Sequence, residues 1–266
     1  MKNKEEMSFL DHLEILRWHL IRSGIAILLF SILAFIFKEI IFDVVLLAPK
    51  DPNFLTYRFL CNISQGLALG DALCIKESPF SLMNINMAGQ FSAHLLTSFY
   101  AGFILAFPYV FWEIWRFVLP ALKEKEAKVS RGIVFFSSLL FLTGVIFGYF
   151  VIAPLSINFL GSYQVSQTVA NQISLTSFIS TVTTISLANG IIFELPILVY
   201  FLTKIGLLTP EFMRTYRRHA MVITLILSAI ITPPDITSQI LVSFPLIILY
   251  EISIQISKAI VKKNNQ

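Results

Sequence analysis

Charge is what this sequence has least of. Asp, Glu, Lys and Arg make up 14% of its 266 residues, against about 25% in a soluble domain. With 56% hydrophobic residues and long apolar runs, that shortage excludes an ordinary soluble fold and places the chain in the membrane class. Cysteine is nearly absent, with two residues, and the four histidines are scattered. No His or Cys cluster has metal-ligand spacing, no glycine-rich loop could cradle a phosphate, and no nucleophile stands beside a base. The expectation is a protein without cofactor, metal or catalytic activity. The formal net charge of +4 does not signal nucleic-acid binding, because the basic residues sit in short clusters between apolar segments. The start, MKNKEEMSFLDHLEILRWHLIR, is charged and amphipathic. It lacks a short apolar core followed by a small-residue cleavage site, so it is expected to be retained.

What is present is a series of apolar runs. They predict an all-α, polytopic membrane protein forming one domain over 1–266, with six transmembrane helices at about 23–42, 88–110, 132–152, 176–202, 219–231 and 237–256. A polar loop over 43–86 separates the first two. Lys38 and Glu39 are expected to snorkel at the end of the first span. Six spans put four connecting segments on one side, holding Lys2, Lys4, Arg17 and Arg22; Arg116, Lys123, Lys125, Lys128 and Arg131; Lys204, Arg214, Arg217 and Arg218; and Lys258, Lys262 and Lys263. Only Lys38, Lys50, Arg58 and Lys76 lie opposite. The positive-inside rule then puts the N- and C-termini in the cytoplasm. The fifth span reaches about 20 Å at 1.5 Å per residue, against a hydrocarbon core about 30 Å thick. Either Arg217 and Arg218 snorkel or the bilayer thins around it.

Several residues carry candidate chemistry. Ser8 and Asp11 have capping-box spacing ahead of an amphipathic helix, in which Phe9, Leu13, Leu16 and Leu20 form one apolar stripe and Glu14 and Arg17 lie away from it. The 116–131 loop alternates Lys and Glu, with an i,i+4 pair from Glu124 to Lys128. Its lead-in, Pro108, Trp112, Trp115 and Phe117, reads as an interfacial aromatic belt. Each of these stretches also has a plain reading as a solvated or interfacial helix. Glu194 is sharper. An ionisable residue inside a span costs at least about 2.5 kcal/mol and marks a functional site unless it is hydrogen-bonded for packing alone. Pro196 invites a kink beside it, and Ser177, Thr181, Thr184 and Ala188 fall on roughly its face. In the last span Gln239, Ser243, Glu251 and Gln255 share another polar face, suited to a helix partner. Cys61 and Cys74 both lie in the 43–86 loop. A disulfide between them would close a loop of about a dozen residues and contribute about 3 kcal/mol, and the residues alone leave bridged and free forms open.

Taken in order, these pieces resemble the TatC family, the multi-spanning receptor subunit of the twin-arginine translocase. The resemblance runs through His12-Leu13-Glu14-Ile15-Leu16-Arg17, Pro49, Ser78-Pro79-Phe80, Pro108, Trp115, Phe117, Pro120, Glu126, Pro154, Phe193-Glu194 with Pro196, Thr232-Pro233-Pro234-Asp235, Gln239, Pro245 and Glu251. It covers nearly the whole chain, and its specificity lies in the order and spacing. Two features depart from the family. Ile15 occupies the usual place of a glutamate, with Glu14 the nearest carboxylate, and the loop between Pro49 and Ser78 is longer and holds both cysteines. The resemblance implies a concave, glove-like bundle in the cytoplasmic membrane that binds twin-arginine signal peptides and exports folded proteins. It implies single-span TatA/TatB-type partners, a homo-oligomer within a larger complex, and the proton-motive force as energy source. Glu14, Arg17, Trp115, Phe117 and Glu126 would form the signal-peptide site, since paired guanidinium groups call for carboxylates on a partly dehydrated surface. Glu194, Gln239 and Glu251 would serve assembly, and Pro49, Pro120, Pro196 and Asp235 the scaffold. The competing reading is a proton-coupled small-solute transporter using Glu194, for which the paired broken-helix repeats of such folds are missing.

Overall fold

In lipid every backbone N–H and C=O must find a partner within the chain, so apolar runs of this length fold as helices. The computed structural model of the chain describes residues 9–66, 70, 74–75, 80–118, 130–166, 168, 171–232 and 236–264. In chain order the elements are α1 (Phe9–Ile36), a wide-turned π-helical stretch (Ile40–Leu46), a 3-10 turn (Ala48–Lys50), α2 (Leu55–Gly66), β1 (Ser81–Met83), α3 (Gly89–Val118), α4 (Ser130–Phe147), a second π-helical stretch (Gly148–Ile152) and α5 (Ala153–Ser162). They continue with β2 (Gln172–Ser174), α6 (Leu175–Ile192), α7 (Leu195–Lys204), α8 (Pro210–Thr215), α9 (Arg217–Ile231) and α10 (Ile236–Asn264).

Helix therefore occupies all six expected stretches, and among the described residues five segments are long and apolar enough to cross a membrane: Leu13–Ile36, Gly89–Val118, Gly132–Ser162, Leu175–Lys204 and Ser238–Lys262. The remaining helix, α9, has 15 residues, about 22 Å of rise. Boundaries differ from the sequence reading in instructive ways. α1 absorbs the N-terminal amphipathic segment and stops at Ile36, not Phe42. The third span runs on to Ser162 because Pro154 sits in the first turn of α5, where its missing N–H costs no helical bond. The fourth span is broken at Phe193–Glu194. Pro196 has no N–H to extend the ladder, so α7 restarts with that proline in its first turn. The 43–86 loop is largely structured, and its β1 pairs in parallel with β2, Ser81 opposite Gln172 and Met83 opposite Ser174.

The chain divides into two compact units. The first comprises Met1–Phe37 and Ser98–Leu139. In it α1 meets the middle of α3 at close range: a Cβ on Gly102 would lie 2.5 Å from the Ser31 backbone nitrogen, so only glycine permits this approach. Ala106, Phe107, Val110, Trp115 and Ile133 are buried here. The second unit comprises Lys38–Thr97 and Leu140–Gln266. Its core joins Phe80, Ile152, Ile157, Phe178, Val182, Ile185 and Leu246. α10 packs along α7 and α9, and α6 against α5 and the second π-helical stretch.

Candidate functional site

The packed face of α1 is not the apolar stripe. Leu13 and Leu20 are exposed, while Leu16 and His19 are half-buried and Ser23 is buried. In water this would be inverted. In a bilayer the lipid accepts leucine and the helix neighbour accepts the polar groups. Glu113, in the last turns of α3, receives that face with only 1% of its surface exposed. His19 Nδ1 bonds Glu113 Oε2, and the Tyr109 hydroxyl donates to Oε1 at 3.0 Å. Arg22 and Arg116, each about half exposed, bring Nη1 to 3.9 Å from the carboxylate. A buried carboxylate is tolerated only when paired and hydrogen-bonded, and here both oxygens are engaged. Arg116 also lies over the Trp112 ring at 4.7 Å, and the Phe117 ring meets His19 edge-on at 6.1 Å.

This cluster sits among the residues that the sequence pointed to. Glu14 and Arg17 are exposed on α1, outside its packed face, and so is Ile15. Position 15 thus shares the open side of the helix with position 14. Trp115 is buried at 3% exposure, which makes it part of the packed wall and not an exposed belt residue. Glu126 and Pro120 lie outside the described residues, as does Ser8 of the capping box. His19, Tyr109, Arg22 and above all Glu113 were not anticipated. The available signal was a carboxylate embedded in the aromatic stretch Tyr109–Phe117, three residues before Arg116, and a histidine amid the apolar residues of α1.

The other polar positions fall elsewhere. Glu194 is half-buried at the α6–α7 break, and its carbonyl accepts from the N–H groups of Ile197 and Leu198, both at 3.0 Å. Ser177, Thr181 and Thr184 of α6 line a cavity of about 370 Å³ together with Ile230 of α9 and Thr232 just after it, and Glu194 is not among its lining residues. Gln239 Nε2 donates to the Leu225 carbonyl at 3.2 Å. Glu251 accepts from Arg217 in a pair that is partly exposed on both sides. Pro49 is buried in the 3-10 turn. Asp235 lies outside the described residues. Cys61 and Cys74 are joined in a disulfide. Among the described residues no group of three or more His, Cys, Asp or Glu is placed to hold a metal ion.

Comparison with known proteins covers nearly the whole chain. The family model described as Sec-independent protein translocase protein (TatC) matches residues 11–245. The chain is 42% identical to the Sec-independent protein translocase protein TatC of Blattabacterium sp. subsp. Periplaneta americana, over 99% of this chain and 100% of that one. It is 34% identical to the protein of the same name from Aquifex aeolicus, over 98% of both. Among solved structures, a crystal structure of the twin arginine translocase receptor TatC superimposes with a TM-score of 0.71 at 33% identity, covering 94% of this chain and 99% of that one. These likenesses give the solute-transporter reading no support.

Proposed function

The chain belongs to the TatC family of Sec-independent protein translocase proteins, and from that premise we propose that it is the receptor at which twin-arginine signal peptides enter the translocase, leading to export of folded proteins. The observation that carries the proposal is likeness over almost the full length to relatives and to a receptor structure that bear this name. The local chemistry suits it. Exposed Glu14 lies on α1, whose opposite face is pinned to the end of α3 by His19 and Glu113. An arginine pair approaching Glu14 would meet a carboxylate on a backbone that does not have to be ordered first. Glu126 supplies the second carboxylate in this reading, Arg17 and Phe117 border the site, and Trp115 is the buried wall behind it.

The same proposal places the protein in the cytoplasmic (inner) membrane with both ends inside. It works there as a homo-oligomer with single-span TatA/TatB-type subunits and draws on the proton-motive force. Glu194, Gln239 and Glu251 belong to assembly. The test is photo-crosslinking from positions 14 and 126 in membrane vesicles, using a twin-arginine peptide and a twin-lysine control. Crosslinks confined to the arginine peptide, and lost in Glu126→Lys, are expected. Equal labelling by both peptides, or labelling unaffected by Glu126→Lys, would overturn the assignment of these carboxylates.

A further inference from the structure

The 43–86 segment carries a helix with two unlike faces. α2 turns Tyr57 and Ser64 inward, with Phe54 just before it. The Tyr57 hydroxyl is within 2.9 Å of the carbonyls of both Pro49 and Pro154, and burial raises its pKa well above the ordinary tyrosine range, so it stays a donor. The Thr56 hydroxyl donates to the Phe150 carbonyl, and Phe54 stacks on Phe150 at 5.6 Å. Outward, Leu55, Phe59 and Ile63 are 64%, 62% and 36% exposed. Their i, i+4, i+8 spacing makes one apolar stripe. Arg58, Asn62 and Gln65, all exposed, run beside it.

The anchors fix the height of α2. The third span begins at Gly132, which marks one of its boundaries. Phe150 lies about 27 Å and Pro154 about 33 Å further along that helix at 1.5 Å per residue, against a core about 30 Å thick. The two contact points therefore bracket the opposite boundary. Direction follows from the two outward stripes. A helix rising away from the bilayer would leave Leu55, Phe59 and Ile63 in water, and one plunging inward would carry Arg58, Asn62 and Gln65 into hydrocarbon. Lying flat satisfies both. Ile40, Val44 and Val45 are exposed as well, and Val45 is tied to the same span by the Tyr149 hydroxyl at 2.5 Å.

We infer that α2 is an in-plane interfacial helix at the membrane boundary marked by Phe150 and Pro154, with Leu55, Phe59 and Ile63 dipping into the acyl boundary and Arg58 at the level of the lipid phosphates. The occupant of the stripe is lipid. The Cys61–Cys74 bridge and the Ser64–Gly70 hydrogen bond at 2.7 Å tie the far end of the helix to the residues that follow it.

The test places an environment-sensitive fluorescent amino acid singly at 59, 62, 63 or 65 of the full chain, one copy per nanodisc, with lipids brominated either near the headgroup or near the chain terminus. Probes at 59 and 63 should be quenched at least about twofold more by shallow than by deep bromine, as befits insertion by about 5–10 Å. Probes at 62 and 65 should respond to aqueous iodide and little to either lipid. Iodide quenching at 59 and 63 would put the stripe in water and overturn the inference. Shielding of 59 and 63 from both quenchers would mean that protein covers them, a second copy or another part of the chain, and would overturn it equally. Because these side chains are exposed, substitution there leaves the packed face of α2 intact. Correct folding is checked by retention of the Cys61–Cys74 bridge.

Discussion

Replacing Glu113 with alanine strands four partners at once. His19 and Tyr109 lose their carboxylate, and Arg22 and Arg116 lose the charge that offsets them. A hydrogen bond to a charged group contributes about 1.5–3 kcal/mol, while each arginine, half exposed at 3.9 Å, adds less than about 1 kcal/mol after solvent screening. Breaking a buried pair from one side costs about 3–5 kcal/mol, because the remaining partner stays buried and unsatisfied. Glu113→Ala and His19→Ala should each destabilise by about that amount. The double variant should cost distinctly less than the sum, with a coupling of about 1.5–3 kcal/mol, since neither group is then left stranded. Glu113→Gln keeps an acceptor for Tyr109 and should cost about half as much as the alanine change. The assay is reversible unfolding in bicelles by steric trapping, run as a double-mutant cycle. Additivity within about 0.5 kcal/mol, the behaviour of independent sites, would refute the claim that His19 and Glu113 act as one unit.

Three further outcomes follow from packing and pairing. Gly144→Ala would bring a Cβ to 2.6 Å from the Asn189 carbonyl and 2.8 Å from Phe193; pushing α4 off α6 should cost about 1–3 kcal/mol, read in the same unfolding assay. The Arg217–Glu251 pair is partly exposed, so its double-mutant coupling should be no more than about 1 kcal/mol and should fade in high salt. Tyr57→Phe should cost about 1–3 kcal/mol by leaving buried carbonyls without their donor. Because the folded pKa of Tyr57 is raised by burial, its contribution is complete below the unfolded tyrosine pKa of about 10 and declines as pH rises through the folded value. The difference between wild type and Tyr57→Phe should therefore shrink in strongly alkaline buffer, measured by thermal unfolding.

The spans were legible because hydrocarbon leaves the backbone few options, and long apolar runs announce themselves. Where they end was harder to see. Pro154 looked like a stop and proved to be a start, since a proline in the first turn costs no helical bond. Pro196 marked a real break, yet the sequence alone left Glu194 inside one continuous helix. The apolar stripe of α1 was legible, but not which face meets a neighbour: Leu13 and Leu20 are exposed, and His19 and Ser23 are the positions turned to α3. Glu113 went unseen because it stands between Trp112 and Trp115, in a stretch whose aromatics drew the reading, and its partner His19 lies 94 residues away in sequence. The short parallel strands carry too few residues to show a period.

Ser81 and Gln172 meet in parallel register although roughly ninety residues separate them, and such a pairing forms only after the whole intervening loop has closed. At a ribosomal rate of about 5–20 residues per second, the first strand waits on the order of 5–20 s for its partner to be made. The Cys61–Cys74 link spans a separation of only 13 residues, so it can lock long before the second strand emerges. A newborn chain would therefore hold its first extramembrane segment together covalently while the far-side clasp is still being synthesised, and an oxidant acting early would set the order of biogenesis.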